Sequence, residues 1–175
     1  DDADSNEMFK TQTNLPNSSN SSDQQTTTDT FAKIRLGYSG TTNSHRQLLI
    51  GFMNENADDS HNLGYDAEII DIQPNDICFQ NGNYKLVIQG VGYFNANASY
   101  PLTLKSSQAG LVNIMIDSLE NFDLNQPIYI HDNSNDSFYN LRGTTVSLTI
   151  PAGEIMNRFT LRFSNATLSS EDNSI

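Results

Sequence analysis

Residues 54–76, called the acidic loop below, hold seven carboxylates and no lysine or arginine: Glu55, Asp58, Asp59, Asp66, Glu68, Asp71 and Asp76. Carboxylates gathered in one connection repel one another, so a cation is a natural partner. Calcium takes several oxygen ligands and tolerates irregular loops. The predicted calcium ligands are oxygen-bearing side chains, namely Asn54, Asn56, Asp58, Asp59, Asp66 and Glu68. No EF-hand spacing is present, and the alternative is a solvated loop held by Asx turns.

A group of aromatic residues offers a second kind of chemistry. Tyr93 and Phe94 stand beside Asn95, and Tyr100 follows shortly after. Exposed rings next to amides are typical of sugar platforms, so Tyr93, Phe94 and Tyr100 are predicted carbohydrate-binding residues. The alternative for these rings is packing in the core or at a sheet edge.

Catalytic patterns are weak in this chain. His45, His61 and His131 are far apart and lack zinc-site spacing. No G-x-S-x-G turn and no glycine-rich phosphate loop occurs. A carboxylate pair for glycoside hydrolysis can come from distant strands, but seven of the thirteen acids in residues 31–164 crowd into one loop. We therefore predict a protein that is not an enzyme.

The elements that position these groups have the alternating pattern of half-buried strands. Residues 31–38 and 45–53 are predicted to pair as a hairpin, and the segment 100–104 is predicted to be an edge strand because Pro101 has no N–H for a ladder. Further predicted strands cover 67–72, 77–79, 84–91, 110–117, 127–131, 138–141, 145–150 and 158–163. We predict an all-β fold, a two-sheet antiparallel β-sandwich that is jelly-roll-like with about ten strands.

Composition divides the chain into one domain and two polar tails. Residues 1–30 read as a low-complexity linker, 31–164 as the β-domain and 165–175 as a second linker. The formal net charge is −12, which excludes nucleic acid as a partner and disfavours an anionic membrane surface. No apolar run is long enough to insert into a membrane. Cys78 is the only cysteine, so no disulfide framework is expected.

An ordered set of motifs across residues 45–163 resembles a known family. The motifs are HRQLLIGF at 45–52, GYD at 64–66, KLVIQG at 85–90, IYIHD at 128–132, YNLR at 139–142 and NRFTLRF at 157–163. They are similar to the β-sandwich domain that often precedes the C-terminal sorting domain in type IX-secreted surface proteins of Bacteroidetes. The resemblance implies a secreted or cell-surface product that meets the type IX secretion machinery through a C-terminal region beyond residues 165–175. The run Asp117-Ser118-Leu119 resembles the short O-glycosylation signal of these bacteria, which makes Ser118 a candidate glycosylation site.

Three functions are compatible with these features. The leading hypothesis is a non-catalytic module that acts in adhesion, in docking or as a spacer, stiffened by calcium in the acidic loop. Its partner would be a glycan or a surface protein. The alternatives are a carbohydrate-binding module of a secreted enzyme and a structural subunit of a surface assembly whose N-terminal tail packs on a neighbour.

Overall fold

The computed structural model describes residues 29–42 and 44–166. The predicted polar linkers at 1–30 and 165–175 lie outside this range except for two residues each. Within the described residues, none of the helical structure has the length and apolar character needed to span a bilayer.

The described chain consists of strands and one short 3-10 helix, so the all-β prediction is confirmed. The helix spans Asn54–Asn56. The strands are β1 (Ala32–Ser39), β2 (His45–Phe52), β3 (Ala67–Glu68), β4 (Asp76–Asn81), β5 (Tyr84–Val91), β6 (Ser99–Ser106), β7 (Gly110–Glu120), β8 (Tyr129–Asp132), β9 (Ser137–Asn140), β10 (Val146–Ile150) and β11 (Gly153–Arg162).

These strands form one continuous hydrogen-bonded sheet in the order β10-β7-β1-β2-β5-β4-β6-β11-β8-β9, with β3 added to β5. The sheet is nearly closed and barrel-like. Pairing is antiparallel except between β2 and β5, which run parallel with Ile50 opposite Gln89. The prediction of purely antiparallel pairing is therefore wrong at this point. A parallel neighbour needs a long crossover, and the acidic loop with β3 and β4 supplies it.

The nearly closed sheet encloses one hydrophobic core, to which alternate residues of the strands contribute their side chains. Ile34, Leu36 and Tyr38 of β1 are fully buried, as are Leu102 of β6 and Phe159 of β11. The side chains of all these residues belong to a single cluster. Because a slip of one residue would turn such a row toward water, the alternation fixes the register of the sheet.

The prediction that Pro101 marks an edge strand is wrong. β6 is a central strand, paired with β4 on one side and with β11 on the other. β6 pairs with β4 only over Leu102–Lys105. At Pro101 the two strands have already diverged, so no hydrogen bond to β4 is lost there through the missing N–H of the proline. Pro101 is tolerated because one of its two neighbours ends before it.

Candidate functional site

The acidic loop is fixed to the middle of the sheet by Asp66. One oxygen of this carboxylate accepts a hydrogen bond from the backbone N–H of Gly90 at 2.7 Å, and the other accepts one from the N–H of Asn62 at 2.8 Å. The amide of Asn62 donates to the carbonyl oxygen of Gly90 at 3.2 Å. Both polar groups of the Gly90 backbone are thus bonded to the loop, which holds it against β5.

Other predicted calcium ligands are used locally. Asp58 accepts hydrogen bonds from the hydroxyl and the backbone N–H of Ser60, and these bonds, the hydroxyl first, lower the pKa of Asp58. The amide of Asn56 donates to the carbonyl oxygen of Met53. Within residues 29–42 and 44–166, no group of three or more His, Cys, Asp or Glu side chains lies close enough to hold a metal. Both bonds from Ser60 go to one oxygen of Asp58, which leaves its other oxygen available, and calcium stays a prediction.

The remaining predicted ligands spread along the loop. Asn54 opens the 3-10 helix with a positive φ of 54°, and Glu68 is exposed at the end of β3. Asp59 is exposed as well, and its carbonyl oxygen accepts a hydrogen bond from the amide of Asn81 at 3.3 Å. That bond places Asp59 beside the turn between β4 and β5.

The three predicted sugar-binding rings do not share one exposed face. Tyr93 is 66% exposed, and its hydroxyl donates to Glu55 at 2.8 Å. Phe94 packs edge-on against Phe52 with ring centroids 5.2 Å apart. Tyr100 is only 4% exposed, so its ring is part of the core and has no free face for a sugar.

Tyr100 nevertheless belongs to an open groove, called the loop–β6 groove below. The groove has a volume of about 340 Å³. It lies between the acidic loop, the end of β4, and the start of β6. Its walls include Asp59, Gln89, Asn95, Ser99, Tyr100 and Pro101.

The groove exists because β4 and β6 separate. Their last paired residues are Phe79 and Leu102. Beyond this pair the chain of β6 continues back to Pro101, which has no N–H to extend the ladder. The gap that opens there is bordered by β4 on one side and by the beginning of β6 on the other.

Two largely buried polar residues, Gln89 and Tyr100, line this groove. Each is 4% exposed as a whole residue. Their polar atoms are not among the fully buried side-chain atoms that lack a partner in the described ranges, so these polar ends are reached from the groove. Burial, and then the charge of Asp59, raise the pKa of Tyr100, so its hydroxyl stays protonated and can both donate and accept.

Comparison with known families gives one match. A family model described as a domain of unknown function (DUF8693) matches residues 2–163. The chain belongs to this family. No curated protein matches the chain, and no solved structure matches it.

The DUF8693 domain also brings a serine, a histidine and an aspartate together on the outer face of the sheet. The Nε2 atom of His45 lies 3.0 Å from Asp117, and its Nδ1 atom lies 3.5 Å from the hydroxyl of Ser39. Gln47 donates to the same carboxylate at 2.7 Å. Asp117 is the extra residue of a bulge in β7, since Leu36 pairs with Ile116 while Arg35 pairs with Ser118. Ser118 itself is exposed on this strand, which leaves its hydroxyl accessible to modification.

Sequence reasoning missed Gln89 and found only part of the groove. Asp59 and Tyr100 were predicted as members of two different sites, and the fold brings them to one. A signal for Gln89 was present, because it is the one polar side chain in residues 86–91 of the sequence. The separation of β4 from β6 depends on tertiary pairing and left no comparable signal.

Proposed function

We propose that the domain is a non-catalytic recognition module, acting in adhesion or docking, and that its ligand enters the loop–β6 groove. The observation that supports this proposal is the set of polar side chains that line one open groove, namely Asp59, Gln89, Asn95 and Tyr100. Gln89 and Tyr100 are each only 4% exposed, so packing holds them in place. Little side-chain freedom is then lost when a ligand bonds to them.

The chemistry of the groove suits holding a ligand more than transforming it. Amides such as Gln89 and Asn95 hydrogen-bond but do not transfer protons at neutral pH. The raised pKa of Tyr100 keeps its hydroxyl protonated at neutral pH, so no tyrosinate is available there as a general base. We expect a bound ligand to be released unchanged.

The setting of this module is also part of the proposal. The resemblance to domains that precede a sorting domain supports export by the type IX machinery and a place at the cell surface or outside the cell. A finer architecture, a two-sheet jelly-roll-like packing of the continuous sheet, is proposed as well. It is supported by the shared core, in which Leu148 of β10 and Ile130 of β8, near opposite ends of the strand order, belong to one cluster.

The experiment for this proposal selects ligands with the native chain and then tests the groove. The chain is screened against a printed glycan array and a phage-displayed peptide library, and the affinities of the selected ligands are measured by calorimetry. The variant Asp59→Asn changes a groove carboxylate, and Asp123→Asn makes the same change at an exposed acid elsewhere. We expect affinity to fall about tenfold or more in Asp59→Asn, the loss of one charged hydrogen bond, and to be unchanged in Asp123→Asn.

Equal affinities in the two variants would contradict the assignment of the groove. A selected ligand is also incubated with the chain for a long time and analysed by mass spectrometry. Chemical conversion of the ligand would contradict the proposal that the module is non-catalytic.

A further inference from the structure

We infer that the ligand of the loop–β6 groove is an uncharged sugar residue at the end or in a short stretch of a glycan. This inference rests on the proposed function, because it names the ligand of the same groove. It is argued from the donors and acceptors that the groove presents and from the charges that it lacks.

The polar groups on the walls match hydroxyls. Asp59 only accepts hydrogen bonds, whereas the Gln89 amide and the Tyr100 hydroxyl each donate and accept. A sugar hydroxyl also does both, so neighbouring hydroxyls of one ring can donate to Asp59 and still accept from Gln89 or Tyr100. Asn95 and Ser99 add further amide and hydroxyl groups on the same walls.

The charges of the groove disfavour an anionic ligand. In the part of the chain that the structure describes, no lysine or arginine lines this groove, while Asp59 does. The chain as a whole carries a formal net charge of −12. A sulfated or carboxylated glycan would meet an uncompensated carboxylate there, and like charges at close range are unfavourable.

The shape of the groove favours a short ligand. Its volume of about 340 Å³ is near the lower end of the ~300–1,000 Å³ typical of small-molecule sites. Pro101 and Ala98 supply apolar surface against which the C–H groups of a sugar ring can pack. The unpaired edges that border the groove are short, Gln80–Asn81 of β4 and Ser99–Pro101 of β6, so they offer little of the ladder that an extended peptide uses in strand addition.

The test uses two substitutions that remove the polar groups and keep the volume. Gln89→Leu and Tyr100→Phe each delete polar atoms that are reached from the groove and keep the volume of the side chain, so the melting temperature should change little. Affinity for neutral oligosaccharides from the array should fall tenfold or more in each. Tyr38→Phe is the matched control, because the Tyr38 hydroxyl bonds to the carbonyl oxygen of Lys105 at 3.2 Å far from the groove walls. That variant should lose thermal stability and keep its affinity.

The outcomes separate this inference from the proposed function. Binding of neutral glycans that is lost in Gln89→Leu or in Tyr100→Phe supports the inference, and the second variant serves if the first does not fold. Wild-type chain that binds only acidic glycans, or only peptides, with Asp59→Asn still weakening that binding, overturns the sugar assignment and leaves the recognition module standing. Wild-type chain that binds no glycan and no peptide overturns both.

Discussion

Buried polar residues in this domain lie in two settings. Asp132 is 1% exposed and bonds to Arg158, Asp76 is 3% exposed and bonds to Arg46, and both pairs are charged. Gln89 and Tyr100 are each 4% exposed and line the open loop–β6 groove. The two ion pairs bond within the protein, whereas Gln89 and Tyr100 mark the surface that we propose binds a ligand.

The pair between Asp132 and Arg158 predicts how stability depends on pH. Burial acts to raise the pKa of Asp132, but the hydrogen bonds from Arg158 and Ser134 outweigh it and lower this pKa. The folded-state pKa thus lies below the unfolded value of about 3.9. The stabilisation is fully present above that value and is lost as the pH falls through the folded-state pKa.

We expect Asp132→Asn to lower the free energy of unfolding by about 2–3 kcal/mol at pH 7, the value of a charged hydrogen bond. The difference from wild type should shrink as the pH falls below about 4. Urea unfolding at pH 7 and pH 3 measures both values. The control is Asp71→Asn, since Asp71 is an exposed partner of Arg46 and should cost about 0–1 kcal/mol. A difference for Asp132→Asn that does not change with pH would refute the account.

Gly37 is required by the bulge in β7. A Cβ atom at this position would lie 2.3 Å from an oxygen of Asp117, whose carboxylate is held by His45 and Gln47. We expect Gly37→Ala to destabilise the domain by about 1–3 kcal/mol, as overpacking does. Asp117→Ala removes the clashing atoms, so the double variant should cost less than the sum of the two single variants. If chemical denaturation shows that the destabilisation of the double variant equals the sum of the two single variants, the contact with Asp117 is not the reason that position 37 needs glycine.

At the scale of elements, the acidic loop depends on its attachment to β5. Asp66→Ala removes the acceptor for the N–H groups of Gly90 and Asn62. We expect hydrogen exchange at both amides to become faster and the free energy of unfolding to fall by about 1–3 kcal/mol. Asp58→Ala is the control, because its bonds to Ser60 stay within one turn. Unchanged exchange at Gly90 in Asp66→Ala would mean that other contacts hold the loop.

Calcium in the same loop is tested separately. If Asp58, Asp59 and Asp66 bind the ion, its removal by a chelator should lower the melting temperature, because a ligand that binds only the folded state stabilises it. Adding calcium back should restore the value, and Asp59→Asn should weaken this response. A melting temperature that is the same with chelator and with calcium in millimolar excess would rule the site out.

Predictions from the sequence agree with the structure where a feature depends only on residues that are near one another in the chain. The alternation in residues 84–91 predicted a strand, and β5 spans Tyr84–Val91. The predicted strand at 67–72 shortens to Ala67–Glu68, because its apolar residues lie on the loop and Ile70 is 95% exposed. Alternation does not specify which strands are neighbours. The parallel pairing of β2 with β5 and the central place of β6 therefore could not be predicted from the sequence.

On the scale of the whole molecule, one hydrophobic core and one continuous sheet support the loop–β6 groove. The acidic loop crosses from β2 to β4 and is bonded to Gly90, while its residue Asp59 reaches the groove beside β6. Charge is distributed unevenly, and residues 31–164 hold thirteen acids and eight bases. A groove carried by one continuous sheet is the arrangement that we propose serves adhesion or docking.

The most direct measurement follows amide signals of the ¹⁵N-labelled chain by NMR while a mixture of neutral hexose and pentose oligosaccharides is added. The account predicts that the side-chain amide signals of Gln89 and Asn95 and the backbone signals of Asp59 and Ser99 shift together and saturate. Signals that shift only around Tyr93 and Phe94, or only on the outer face at His45 and Asp117, would place binding elsewhere. Either of those results would contradict the groove as the functional site. The absence of any shift, with the oligosaccharides and also with added peptide ligands, would contradict it as well.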